Sequence, residues 1–140
     1  MNMTAGNSEL CVGVRILDLD HREMSETLNE LRTALVRNED RSRTCALLRK
    51  LTNFTVLHFA LEEGMMVSTK YPGVALHRLN HQRMIKQMKA MVTQFGQGSL
   101  SMNRLSLRLL AESHAVHVGN DDLDYGFWVN GPAGADSEQP

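Results

Sequence analysis

Residues 47–66 read LLRKLTNFTVLHFALEEGMM. Leu47, Leu51, Phe54, His58, Leu61 and Met65 recur at steps of 4, 3, 4, 3 and 4, the spacing that draws one stripe down a helix of about 3.6 residues per turn. One member of the stripe is a histidine, so the pattern places His58 on the buried side. Asp40 and Ser42 lie upstream and suit the N-cap, where a short side-chain oxygen accepts from the free N–H groups of the first turn. Before this segment, Met24, Leu28, Leu31 and Leu35 form a second stripe between Asp20 and about Arg37, which His21 extends upstream. After it, Tyr71-Pro72-Gly73 marks a boundary, because proline restricts the residue before it and suits a first helical turn. A third stripe then runs through Val74, His77, His81, Met84, Met88, Met91 and Phe95 until Gly96-Gln97-Gly98-Ser99 ends it. A fourth segment starts near Ser101 with Leu107, Leu110, His114 and His117 on one face, and Gly119 and Asn120 weaken it further along.

The chain has 3 prolines, and alternating β-branched runs are scarce, so an all-α fold is expected. Four helices of about 20 residues, each spanning roughly 30 Å, with short connections favour antiparallel neighbours and hence an up-down-up-down four-helix bundle. The bundle is expected over 18–130, with an N-terminal arm at 1–17 and a flexible tail or linker at 131–140, where GPAGADSEQP has nothing to anchor it. With 140 residues, a single core suffices. Fifteen Lys and Arg against 16 Asp and Glu leave a net charge of -1, and no basic stripe tracks a phosphate backbone, so nucleic acid is not an expected partner. No apolar run reaches membrane-spanning length and no secretory leader is recognised, so no membrane insertion is expected. Cys11 and Cys45 follow no C-x-x-C spacing and read as reduced thiols, which suits a cytoplasmic location. The third-segment methionines read as core filler, not as copper ligands.

All six histidines fall on inner faces. Burying several imidazoles with Glu62 and Asp122 in an apolar bundle is costly unless the charges are compensated, and the stripes supply no Lys or Arg to do so. A bound cation is the natural compensation. His58 and Glu62 are four residues apart, as are His77 and His81, so each pair shares one helical face. His117 and Asp122 are five apart, which on a regular helix at about 100° per residue points them about 140° away from each other. A single π-type turn would bring them into register, and Gly119 and Asn120 make that distortion cheap. Five imidazoles and two carboxylates exceed what one ion accepts but suit two ions bridged by both carboxylates. Imidazole with carboxylate favours iron over a thiolate-seeking metal, with manganese and zinc also compatible. Neither the Glu-x-x-His pairs of ferritin-like sites nor H-E-x-x-H occurs.

These residues resemble the hemerythrin family, specifically its single-domain bacterial members. The resemblance covers about Val12 to Trp128. It rests on D-x-D-H at Asp18–His21, H-F-x-x-E-E-x-x-M at His58–Met66, Tyr71-Pro72, H-x-x-x-H at His77–His81, and H-x-x-x-x-D-x-x-Y from His117 through Asp122 to Tyr125. It implies that His77, His81 and His117 bind one iron and that His21 and His58 bind the other, with Glu62 and Asp122 bridging both. It also implies that dioxygen binds reversibly at an open position on the second iron. Met24, Phe59 and Val118 would line that ligand pocket. Tyr125 would either donate to a bridging carboxylate or simply pack. The sequence departs from the family at Ser113 and His114, where Trp and then a large aliphatic residue are usual. Ser113 opens space in the pocket, and His114 either adds a polar group there or packs against a water. Asp20, where the family often has Gln, would orient His21 or lie on the surface, the surface being the expectation.

The implied function is binding and not turnover, since no nucleophile or general base is arranged for catalysis: reversible dioxygen binding at a centre of two iron ions, for storage, delivery or sensing. The alternative is an oxygen or redox sensor domain that autoxidises rapidly to the diferric form, with the C-terminal tail as the linker to an output domain or signalling partner.

Overall fold

A computed structural model of the chain describes residues 11–97 and 104–137. Helix α1 is Arg15–Val36, α2 Arg41–Ser68, α3 Val74–Gly96 and α4 Arg104–His117; a π turn, Val118–Asp122, joins α4 to α5, Leu123–Ser137. No strand occurs among the described residues. The expected start near Ser101 lies outside them. Helix α1 begins five residues before the Asp20 read from the stripe: Val12 N–H donates to Asp18 Oδ1 at 2.8 Å, which holds the incoming chain to the first turn. Of the two candidate caps of α2, Asp40 is used, its carboxylate accepting from Arg43 N–H at 2.8 Å. In α5, Gly131 leaves the helical path at φ 60° and ψ 178°, at the first residue of the expected tail. Residues 138–140 of that tail, and 1–10 of the arm, lie outside the described residues.

The bundle is layered along its length. One apolar cluster contains Met24, Leu28 and Leu31 of α1, Leu47, Leu48 and Leu51 of α2, Met88 and Phe95 of α3, and Leu107 and Ala111 of α4. A second, at the other end, contains Val12, Leu17, Met66, Val118 and Tyr125. The order in which each helix visits them gives the topology. Helix α1 runs from the second cluster to the first, α2 returns, α3 goes out again, and α4 with α5 returns, so the arrangement is the expected antiparallel up-down-up-down bundle. Near the first cluster, the Arg41 guanidinium donates to Phe95 O and lies 5.1 Å from the Phe95 ring centre, tying the start of α2 to the end of α3. Helices α1 to α4 and the π turn carry their histidines and carboxylates between the two clusters, so the polar layer has apolar packing above and below.

One stripe needs correcting. On α2, Leu61 is 43% exposed and Met65 only half-buried, while Thr52, Thr55, Phe59, Glu62 and Met66 are buried with His58. The inward face is rotated from the one the apolar residues draw. Thr52 and Thr55 are buried cheaply because each hydroxyl donates to the carbonyl four residues back, at 2.8 and 2.7 Å. Glu62 is drawn in by the imidazoles described next.

Candidate metal centre

Seven side chains meet in the middle layer, each at most 5% exposed: His21 from α1, His58 and Glu62 from α2, His77 and His81 from α3, His117 from α4, and Asp122 from the π turn. The structure brings together all seven candidate ligands. They form two overlapping sets, each able to hold a cation: Glu62, His77, His81, His117 and Asp122 in one, and His21, His58, Glu62 and Asp122 in the other. Within each set the ligand atoms lie within 4.8 Å of one another. Glu62 and Asp122 belong to both, which is the arrangement two bridging carboxylates require. Asp122 reaches the site because the π turn adds one residue to the helical ladder, as the five-residue spacing demanded.

The contacts inside the layer converge on common points more than they pair off. His77 Nε2 lies 2.6 Å from Glu62 Oε1 and 2.9 Å from Asp122 Oδ1. His81 Nε2 and His117 Nε2 face each other at 3.0 Å, and His21 Nε2 is 3.0 Å from Asp122 Oδ2. Even so, His21 Nδ1 and Nε2, His58 Nε2, Glu62 Oε2 and both Asp122 oxygens are buried without an aligned hydrogen bond. Close approach without alignment, from donor types that also coordinate cations, fits ions held between the groups and not direct pairing. The ionisation pattern agrees. Burial pushes Glu62 up, but the imidazoles of His58, His77 and His81 outweigh it and hold the carboxyl at about 2. Burial likewise opposes ionised Asp122, which His117, His21 and His77 hold well below its usual range. His77 is driven down by burial and up by Asp122 and Glu62, ending at about 9. His58 and His117 are raised by their carboxylate neighbours against burial.

An outer ring of carboxylates was not read from the sequence, beyond the option that Asp20 orients His21. His58 Nδ1 lies 2.9 Å from Asp20 Oδ2, His81 Nδ1 2.8 Å from Glu63 Oε2, and His117 Nδ1 3.0 Å from Asp121 Oδ2. An ionised carboxylate only accepts, so Nδ1 carries the proton and the Nε2 lone pair is left facing inward for a cation. Asp121 is itself held by Asn80 Nδ2 at 2.9 Å. The available signal was that each acid adjoins a candidate ligand: Asp20 before His21, Glu63 after Glu62, Asp121 before Asp122. Asp20 corrects the expectation of a surface residue: its carboxylate is 20% exposed and orients His58 across the helix interface, leaving its neighbour His21 alone.

The expected pocket lining separates. Met24, Ser113 and His114 share a cavity of about 20 Å³. Phe59 instead stacks on His81, ring centres 3.7 Å apart and planes within 2°, and Val118 belongs to the apolar cluster on the other side of the polar layer. Tyr125 does not serve a bridging carboxylate. Thr69 gives its hydroxyl proton to Met65 O at 2.7 Å, so the Tyr125 O–H donates to Thr69 Oγ1 at 3.0 Å. Its ring packs on Tyr71 with centres 5.0 Å apart, which is the packing alternative.

Comparison with known proteins gives the same picture. The chain is similar to a Bacteriohemerythrin of Stenotrophomonas maltophilia, 27% identical over 125 residues that make up 89% of this chain and 80% of that protein. It is also similar to a Bacteriohemerythrin of Methylococcus capsulatus, 26% identical over 89% of this chain and 94% of that one. A crystal structure of wild-type hemerythrin superposes with a TM-score of 0.79 at 23% identity, covering 82% of this chain and 88% of that one, a likeness of fold. Residues 12–124 match the family described as Hemerythrin HHE cation binding domain. The chain therefore belongs to the hemerythrin family.

Proposed function

We propose that the protein binds dioxygen reversibly at a non-haem di-iron centre, with His77, His81 and His117 on one ion, His21 and His58 on the other, and Glu62 and Asp122 shared. The observation that carries this reading is the pair of overlapping ligand sets, five side chains in one and four in the other. The His21/His58 side is a ligand short, which leaves room for a small exogenous molecule there. Iron bound in both sets would supply the electrons and the open position for dioxygen. The chain's own residues do the rest. The outer carboxylates fix imidazole tautomers, the two apolar clusters exclude bulk water, and Phe59 holds the His81 ring flat. Iron analysis and optical spectra of the anaerobically reduced protein, before and after air, test it. The expected result is near two irons per chain and a charge-transfer band that reverses when oxygen is removed; a protein without iron, or a band that never reverses, defeats the proposal.

A second reading, an oxygen or redox sensor, is favoured by one feature. Ser113 and His114 put polar groups into a cavity wall that also carries Met24, Leu28 and Leu51. Water and protons admitted there would shorten reversible binding and favour rapid passage to the diferric form. On this reading His114→Leu slows autoxidation several-fold, measured as the lifetime of the oxygen-dependent band; an unchanged lifetime removes the support.

A further inference from the structure

Among the described residues, every buried side-chain nitrogen or oxygen without a hydrogen bond belongs to the seven-residue cluster, with one exception: His114 Nδ1. Cations in the cluster would satisfy the others. They do not satisfy His114, which is in neither ligand set; its ring centre is 6.1 Å from that of His21 and meets it edge-on. A polar atom left unmatched in a protein interior is costly, and native interiors fill such places with a bound molecule.

The space for one is present. His114 lines the cavity of about 20 Å³, where Thr55, Gln87 and Ser113 add polar groups to walls of Met24 and Met84. That volume exceeds the roughly 10–15 Å³ a water needs, and the wall offers the two to four polar partners a buried water requires. Thr55 has committed its proton to Leu51 O at 2.7 Å, so it can only accept here. Ser113 and Gln87 both donate and accept, and His114 does either according to its tautomer. The lining holds no Lys, Arg, Asp or Glu, so nothing in the wall offers a full charge to pair with an ion. The matching ligand is neutral, no larger than about two heavy atoms, and both gives and takes hydrogen bonds. Dioxygen meets the size but makes little use of these groups. Outward, the cavity adjoins a surface groove between α3 and α4, with Gln87, Leu110 and Ser113 in both walls. Inward, the His114 ring meets His21 edge-on.

We propose that His114 makes this cavity a binding site for one small hydroxylic molecule, with water as the resting occupant and hydrogen peroxide as the reactive ligand of the same chemistry. The site itself does not depend on iron; its bearing on the metal centre rests on the function proposed above. There, iron held by the seven residues would supply two electrons and solvent from the adjoining groove two protons, with which the O–O bond of hydrogen peroxide breaks to give two waters.

The test uses the purified metal-loaded protein with His114→Leu and His114→Gln. Crystals diffracting well enough to show waters are expected to place one ordered water within hydrogen-bond reach of His114 Nδ1 and none there in His114→Leu. In anaerobic mixing of the reduced protein with hydrogen peroxide, the half-saturating peroxide concentration is expected to rise at least tenfold in His114→Leu. His114→Gln, which keeps a hydrogen-bonding group, returns most of the difference, with iron content measured alongside. An empty cavity in the parent, a water that persists in His114→Leu, or a half-saturation that does not move overturns the proposal. A parent that binds no iron would instead sink the di-iron reading and leave the crystallographic test of the cavity standing.

Discussion

The imidazoles of His58, His81 and His117 each have Nδ1 on a carboxylate, and this is where single substitutions are most informative. Removing such an outer partner typically weakens metal binding about 10–100-fold. Asp121→Asn is therefore expected to lower metal affinity by roughly that factor, read by competition with a chelator, with helical content unchanged by circular dichroism; an affinity equal to the parent's would leave Asp121 without the role. Protons provide a second test. In the metal-free protein His77 sits at about 9 against an ordinary 6.5, so its stabilising contribution is fully present below pH 6.5 and fades as pH rises through 9. Glu62 sits at about 2 against 4.5, so its contribution is present above pH 4.5 and fades as pH falls through 2. The metal-free cluster is thus best held between about pH 4.5 and 6.5. At pH 8 the proton on His77 must leave when a cation enters. Calorimetry in buffers of different ionisation enthalpy should show net proton release on metal uptake, and uptake without release would contradict the assignment of His77.

The π turn is the one element whose irregularity the chemistry demands. Asn120 Nδ2 donates to Val116 O at 2.8 Å, supplying a donor where the widened ladder is out of step. Deleting Gly119 would leave His117 and Asp122 four apart, a spacing a regular helix keeps on one face. Inserting an alanine after Asn120 would make them six apart and swing Asp122 about 100° off the site. The deletion is expected to retain most bound metal and the insertion to lose more than half, measured by metal analysis of both purified variants; equal retention would show that Asp122 is dispensable. The need for this turn was legible from His117 and Asp122 alone, because helical geometry is local. The rotation of α2 was not. Leu61 scored as core by its spacing, whereas the buried positions are Thr55, Phe59, Glu62 and Met66, and polar residues that are satisfied by their own helix or by imidazoles leave no mark in a hydrophobic pattern.

At the scale of the whole molecule, the segment before α1 packs on α5. The arm crosses α5 so closely that a Cβ added to Gly126 would lie 1.7 Å from Val12 O, and Asn130 Nδ2 donates to Gly13 O at 3.2 Å. Gly126→Ala must push the arm off or distort α5, and overpacking of this kind costs about 1–3 kcal/mol. A lower melting temperature is expected, and an unchanged one would mean that the arm is not held there. The candidate ligands come from all four arms of the bundle, so stripping metal with a chelator should also lower the melting temperature, with recovery on adding metal back in a concentration-dependent way. By itself the sequence determined that there are four helical arms, that they carry two pairs of candidate ligands at four-residue spacing, and that the last pair needs a π turn, because each of these depends on residues within one or two turns of each other. Asp121 lies four residues from His117, a local spacing, but only the tertiary structure decided which acids serve His58 and His81. Asp20 passes over adjacent His21 to reach His58, 38 residues away, and Tyr125 gives its proton to Thr69, 56 residues away. Those choices depend on how closely helices pack and on which faces meet, and no periodicity within a single helix carries that information.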